Sequence, residues 1–459
     1  NLKALGVETV KYGEDFVYEA GLKVQTAMDP VHQAAAGDAL RRGLRELDKR
    51  QGWRGPLEQL DAEKQQDFLK KSSFSPSDLA GGNWVRALVS AVEAREARVE
   101  LGQGYTGVIP VAHMSWARKP NPKVAAAAAP ALRDARQALA PGDVVWVSAA
   151  AETVVQTGPK GEKVKKTVEF DPQNAQKDKA IALLLQQEPA VQGAIASVET
   201  QSGDVVALIG GYQFGNSHFN RATQARRQPG SSFKPIVYST ALDFGFTAFS
   251  TVLDAPFVYV NPYTNEVWRP SNYEKNYRGE LPLYTALALS RNTCTVRVAQ
   301  QTGIANVVER ARALGLEPNF PHELAISLGA VDVSPLNMTQ AYVPFANQGL
   351  GVRPRIITSI TDARGREIYR QDVEHWQAIS PQNAYIMSTL LKRVVTAGKT
   401  GTTNEERDTW FVGFSPYLST GVYVGYDQVQ SLGRQEQGGR TAAPIFRYYR
   451  AEVEGRYPA

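Results

Sequence analysis

The chain has 459 residues, 43% hydrophobic and 21% charged, an ordinary globular usage that excludes disorder, collagen and coiled coil and leaves room for roughly three domains of about 150 residues each. Its one cysteine, Cys294, cannot close an internal disulfide, and its five histidines lack His-Glu-x-x-His or Cys-x-x-Cys company, so no metal and no cofactor are expected. The net charge of +5 is too weak to argue for nucleic acid, and without a run of roughly 18 apolar residues or a signal pattern at Asn1-Leu2-Lys3 these residues read as soluble material, excised from something longer.

Leu22-Lys23-Val24-Gln25-Thr26 alternates like a strand. Asp29-Pro30 then looks like an N-cap followed by the first helical proline, and Val31, Ala35, Leu40, Leu44 and Leu47 recur with helical spacing, which predicts an amphipathic helix from about 30 to 48. The Gly52/Gly55-Pro56 punctuation ends it, so residues 1–60 read as a joining segment.

From 61 to 180 the texture changes to short β-like runs, Ala94–Leu101, Val108–Val111, Asp143–Ser148 and Thr153–Thr157, with Gly and Pro between them. A small β-barrel is expected there. The run Ala125–Ala129 reads as a loop, and Lys160, Lys163, Lys165 and Lys166 read as a solvated hairpin tip beside Gly158-Pro159. Gly102-x-Gly104-x-x-Gly107 matches a dinucleotide fingerprint in spelling, but the strand-like Val108-Ile109-Pro110-Val111 follows where a helix would have to open. The expectation is a β-turn.

Residues 181–459 read as α/β. Gly193–Glu199 and Val205–Ile209 form a hairpin around Gln201-Ser202-Gly203-Asp204, and Thr409–Phe414 with Thr420–Gly425 forms another. Helical patterns lie between, including Ala286–Gln301 and Val307–Leu314, so the expected fold is an antiparallel sheet of chain-distant strands with helices packed on it.

Three short motifs stand in this part: Ser231-Ser232-Phe233-Lys234, Ser290-Arg291-Asn292 and Lys399-Thr400-Gly401. A Ser-x-x-Lys or a Ser-x-Asn arises by chance about once in a chain of this size, and a Lys-Thr-Gly about a tenth of a time. Singly they read as a helix cap, a helix terminus and a surface charge. Each occurs once, in an order and a broad spacing that together are specific. Ser231 and Lys234 fall three apart at a helix start after Pro229-Gly230, where the lysine can take the serine proton if it is neutral. The helix macrodipole and a second cation, Lys399, both push it that way. Ser290 and Asn292 suit proton relay and a grip on a peptide backbone. Lys399, Thr400, Gly401 and Thr402 suit an edge strand that receives a carboxylate, with the Thr402 and Ser231 N–H groups as an oxyanion hole.

This motif set, with Arg227-Gln228-Pro229-Gly230-Ser231-Ser232-Phe233-Lys234-Pro235, Arg269-Pro270-Ser271-Asn272-Tyr273, Ser334–Gly349, Ala397–Asn404 and Asp408-Thr409-Trp410-Phe411-Val412-Gly413, resembles the transpeptidase domain of class A penicillin-binding proteins over residues 190–459. The module at 61–180 resembles the OB-like insertion of their 1A type, and the segment around Gly21–Thr26 resembles their linker. The resemblance implies a penicillin-binding, β-lactamase-like fold and a D,D-transpeptidase that cross-links peptidoglycan stem peptides through an acyl-enzyme on Ser231 and is acylated by β-lactam antibiotics. It also implies an outer-membrane lipoprotein activator docked on 61–180, and a place in the bacterial periplasm, held at the inner membrane by an N-terminal helix absent from these residues. Gly13-Glu14-Asp15-Phe16 begins like the family's glycosyltransferase motif but lacks its histidine, so no polymerase activity is expected. Where the family has a longer Gly- and Thr-rich loop, this sequence has Val394-Val395-Thr396. Two other readings stand beside the transpeptidase: a serine β-lactamase and a non-catalytic β-lactam-binding module.

Overall fold

Asp29 opens the first helix of the computed structural model: its Oδ1 accepts the backbone N–H groups of Val31 and His32 at 2.8 and 3.1 Å, with Pro30 at the first helical position. The helix runs Pro30–Gln51, past the expected end at 48. The structure describes residues 21–157, 163–261, 265–317, 319–321, 323–392 and 398–458. Two compact units emerge, one from residues up to 44 together with 191 onward, the other from 45–190. Each has its own buried core.

In the unit 45–190, a six-stranded sheet runs in the order Glu58–Gln59, Asp143–Ala149, Val85–Val92, Glu96–Gly102, Tyr105–Pro110, Ile181–Gln186, and the last strand pairs back onto Asp143–Ala149. That pairing closes a barrel. Alternate residues fill it: Ala87 and Val89, Val99 and Leu101, Val145 and Val147, Leu183 and Leu185 are all buried. The boundaries expected at 60 and 180 therefore move outward, because Glu58–Gln59 pairs with the barrel and Ile181–Gln186 closes it. Gly102 to Gly104 is the turn of the hairpin Glu96–Gly102 and Tyr105–Pro110, with Gln103 at φ 52°. A strand, not a helix, follows the glycines. Lys163, Lys165 and Lys166 lie on a strand, Lys163–Val168, paired with Glu152–Thr157; Lys160 and the tip lie outside the described residues.

The other unit is built on a five-stranded antiparallel sheet. Its strands are β1 (Gln192–Glu199), β2 (Val205–Ile209), β3 (Gly398–Thr402), β4 (Asp408–Phe414) and β5 (Leu418–Gly425), in the order β2-β1-β5-β4-β3. Chain-distant strands meet at the centre, as expected, and β3 is an edge. Helices cover both faces. A side chain at Gly421 of β5 would run into Thr339 of the helix Pro335–Gln340, and one at Gly413 of β4 would run into Phe446 of the C-terminal helix Ala442–Val453. Gly421 pairs with Val412, the neighbour of Gly413, so the two contacts lie on opposite faces. The strand Lys23–Thr26 pairs with Ile357–Thr361, and Ala36, Leu40 and Leu44 of the first helix are buried.

One expectation fails instructively. The continuous helix predicted over Ala286–Gln301 is two helices, Leu283–Ala288 and Asn292–Thr302, broken where Ser290 takes the left-handed conformation at φ 54°. A non-glycine residue held there is over-determined by its surroundings, which lie in the cleft described next.

Candidate active site

Ser231 lies in a single 3₁₀ turn, Gly230–Phe233, that runs directly into the helix α1, Lys234–Asp243. In a 3₁₀ turn residues three apart eclipse, so Ser231 and Lys234 share a face. Ser232 is committed elsewhere: its Oγ donates to Pro229 O at 2.7 Å, and its carbonyl accepts the buried Tyr342 hydroxyl at 2.6 Å. Ser231 is partly exposed, and among the described residues its hydroxyl makes no hydrogen bond.

Lys234 and Lys399 are both 0% exposed. The Lys234 Nζ donates to Ser290 O and Asn292 Oδ1, each at 2.6 Å, and lies 3.1 Å from Ser290 Oγ; the Lys399 Nζ donates to the same Ser290 Oγ at 2.9 Å and to Thr400 O at 3.1 Å. One serine hydroxyl thus joins two buried ammonium groups. The left-handed Ser290 makes this possible, since it turns its carbonyl and its hydroxyl toward the same amine. Burial, with the Lys399 charge second, drives Lys234 well below the ordinary lysine value, and burial brings Lys399 to about 7. Desolvation is thus the largest cause for Lys234, and the Lys399 charge read from sequence is the second. Cys294, next in this wall on α2 (Asn292–Thr302), is buried as well, and burial pushes its thiol up to about 11.

A buried network braces that wall. Arg291, 2% exposed, donates through Nε to Asp254 at 2.7 Å and through Nη1 to Glu274 at 2.8 Å, while Asp254 also accepts from Thr293 Oγ1 at 2.5 Å and Asn272 Nδ2 at 2.7 Å. Asn272 Oδ1 accepts the Asn292 N–H at 2.8 Å, and Asn292 Nδ2 donates to Ser271 O at 2.8 Å. Burial works to raise the Asp254 carboxyl, but these hydrogen bonds outweigh it and hold it below the ordinary value. Sequence reasoning missed Asp254. Only Ser271 and Asn272 left a trace, inside the segment Arg269–Tyr273.

The opposite wall is β3. Gly230, at φ 53°, leaves no room for a side chain: a Cβ there would stand 2.8 Å from Thr402 O, and one on Gly401 would stand 2.3 Å from Pro229 O. Turn and strand approach more closely than any other residue pair permits. The Thr403 N–H donates to Asp408 O across the ladder at 3.0 Å, so by alternation the Thr402 N–H faces the open edge. The Ser231 N–H sits in the first turn of its helix, where no intrahelical acceptor exists. Thr402 Oγ1 accepts the Gly438 N–H at 3.1 Å, and Gly438 is a second residue the sequence did not flag. Lys234, Ser290, Asn292 and Lys399 are thus hydrogen-bonded into one group, Ser231 stands on the same turn as Lys234, and Gly401 and Thr402 lie against that turn, with Thr400 beside Lys399. Val394–Thr396 lie outside the described residues.

Residues 193–449 match the family described as the penicillin binding protein transpeptidase domain, and residues 53–191 match the penicillin-binding protein OB-like domain. The chain belongs to the penicillin-binding proteins. It is 33% identical over 466 residues to penicillin-binding protein 1A of Neisseria flavescens, across 96% of this chain and 53% of that protein, and 32% identical to penicillin-binding protein 1A of Pseudomonas aeruginosa, across 96% and 57%. The chain spans about half the length of these curated relatives. Among solved structures it is similar to penicillin-binding protein 1A from Haemophilus influenzae, with TM-score 0.76 and 26% identity over 98% of this chain and 69% of that one. The PonA1 protein from Mycobacterium tuberculosis, solved in complex with penicillin V, shares the fold at TM-score 0.52 and 24% identity over 59% of this chain and 80% of that one.

Proposed function

We propose that this chain is a serine D,D-transpeptidase that cross-links peptidoglycan stem peptides, with Ser231 as its nucleophile. The observation that carries the reading is the meeting of two buried, deprotonation-prone lysines on the hydroxyl of Ser290. A neutral Lys234 keeps two N–H groups for Ser290 O and Asn292 Oδ1, and its lone pair, which in the resting site meets Ser290 Oγ at 3.1 Å, is the group that receives the Ser231 proton. Ser231 Oγ then attacks the penultimate D-Ala carbonyl. The oxyanion lies between the Ser231 and Thr402 N–H groups, the proton passes through Ser290 to the leaving amine, and terminal D-Ala departs. An amine of a second strand attacks the ester, its proton passes through Lys234 to Ser231 Oγ, and the acyl–oxygen bond breaks to free Ser231. Asn292 holds the donor backbone, and Lys399 with the Thr400 and Thr402 hydroxyls receives the terminal carboxylate. Gly401 admits the donor close to the strand. β-Lactams acylate the same serine.

Labelling with a fluorescent penicillin tests the assignment: the intact chain is expected to take up one equivalent, and Ser231→Ala none while keeping its melting temperature. Label retained by Ser231→Ala would reject Ser231. A β-lactamase would also need a carboxylate poised to activate water against the ester. Glu405 pairs with Arg407, and Glu406 accepts the Tyr273 hydroxyl, which supports a persistent penicilloyl adduct. Rapid turnover without adduct would favour the β-lactamase. The unit 45–190 is proposed to dock a lipoprotein activator, and the protein to work in the bacterial periplasm. No helix among the described residues is long and apolar enough to cross a membrane.

A further inference from the structure

Tyr273 and Glu406 come from opposite walls of the cleft and meet. Tyr273 follows Ser271 and Asn272, which hold the amide of Asn292. Glu406 closes the turn after β3, its N–H bonded to Thr403 O at 3.2 Å. The Tyr273 hydroxyl donates to Glu406 Oε1 at 2.5 Å although the residue is 54% exposed. A third segment joins them, since the Leu432 N–H donates to Glu406 O at 2.8 Å and Gly438 holds Thr402. Glu406 itself is in the left-handed conformation at φ 49°, so the turn is held in a sparsely populated geometry rather than relaxed.

The path of an acyl donor follows from the site, and this step rests on the transpeptidase reading above. The scissile carbonyl sits at Ser231 and Thr402, and the terminal carboxylate points back along β3 toward Thr400 and Lys399. The rest of the donor must leave the other way, past Thr402, between the Asn292 amide and the 403–406 turn. The Tyr273–Glu406 bond spans that exit. We propose that it is a bar across the donor's exit, one that an extended acyl arm has to displace and a compact ligand passes beneath, so that Tyr273 and Glu406 set the preference for donor length. A displaced Glu406 can accept an amide N–H of the arm, which restores the hydrogen bond it loses.

The test uses the intact chain, Tyr273→Phe and Glu406→Gln, with two probes: 6-aminopenicillanic acid, which has no acyl arm, and a penicillin carrying a long peptidyl arm. Acylation rate constants are read from intact mass. Tyr273→Phe should raise the rate with the long-arm probe about tenfold, the scale of one exposed hydrogen bond to a carboxylate, and change the compact probe less than about twofold. Glu406→Gln should give a smaller rise of the same selectivity. An unchanged ratio between probes would overturn the bar, and so would an equal rise or an equal fall with both, which would mark the pair as a brace. Failure of both probes to acylate the unsubstituted chain would instead reject the transpeptidase reading, and the bar with it.

Discussion

Lys399 carries the clearest pH signature of any single residue. Burial brings its ammonium down to about 7, whereas the unfolded chain keeps that proton up to about 10.4. Between those values the unfolded state binds more protons, so this lysine's contribution to stability improves as pH rises through the window and is least favourable below it. Urea unfolding at a series of pH values should show stability climbing by up to about 1.4 kcal/mol per pH unit from this residue, and Lys399→Met should flatten that climb. Lys234 acts with the same sign, so a residual slope is expected in the variant. Asp254 supplies a different kind of test. Removing it leaves Arg291 buried with, among the described residues, the half-exposed Glu274 as its remaining ionic partner, and Asp254→Ala is expected to cost about 3 kcal/mol and to abolish penicillin acylation through loss of the Asn292 wall. Thermal melts with labelling check both. Arg291 Nη2 also donates to Asn276 Oδ1 at 2.8 Å, and retained stability in Asp254→Ala would mean that Glu274 and Asn276 suffice for Arg291.

At the next scale up, the proposed chemistry depends on the contact between the Gly230–Phe233 turn and β3. A methyl group on Gly401 would stand 2.3 Å from Pro229 O and 3.0 Å from the Trp410 side chain, so Gly401→Ala must push turn and strand apart. About 1–3 kcal/mol of stability should be lost, together with about a hundredfold in acylation rate, because a displacement near 1 Å spoils the oxyanion geometry. Kinetics of penicillin acylation beside thermal melts would separate the two effects. Near-normal kinetics would show that the turn tolerates the displacement. Much at this scale was legible beforehand. The hairpins of β1 with β2 and β4 with β5 have alternation and turn residues, and the Asp29-Pro30 start has its cap chemistry. The break at Ser290 was not legible, because its flanks, Ala286–Leu289 and Asn292–Gln301, both keep a helical apolar pattern, and the lysines that bond Ser290 in the left-handed state come from the distant segments α1 and β3. The closing strand Ile181–Gln186 was hidden for a related reason: a pairing with Asp143–Ala149 leaves no local mark in either segment. Asp254 escaped because a lone aspartate ahead of a proline-rich stretch looks like any turn residue until Arg291 is brought beside it.

Across the whole molecule, the two units have separate cores, one centred on the sheet with Phe233, Tyr238, Trp410 and Tyr423, the other inside the barrel. Scanning calorimetry is expected to resolve two transitions, and acylation by penicillin should raise only one of them, since a ligand stabilises the unit it binds. A single cooperative transition moved as a whole by the ligand would show that the cores melt together.

Cys294 turns the enclosed wall into something that can be timed. It is the one thiol in 459 residues, fully enclosed beside Arg291 and Lys234, so a thiol-reactive dye can enter only when this region opens. Dye uptake therefore works as a clock on the breathing of the Ser290–Asn292 wall, with no engineered probe and no background from other cysteines. If the acyl-enzyme draws Asn292 and Lys234 around its ligand, the clock should slow after penicillin is added, and the ratio of the two rates measures how much the bound antibiotic stiffens the site.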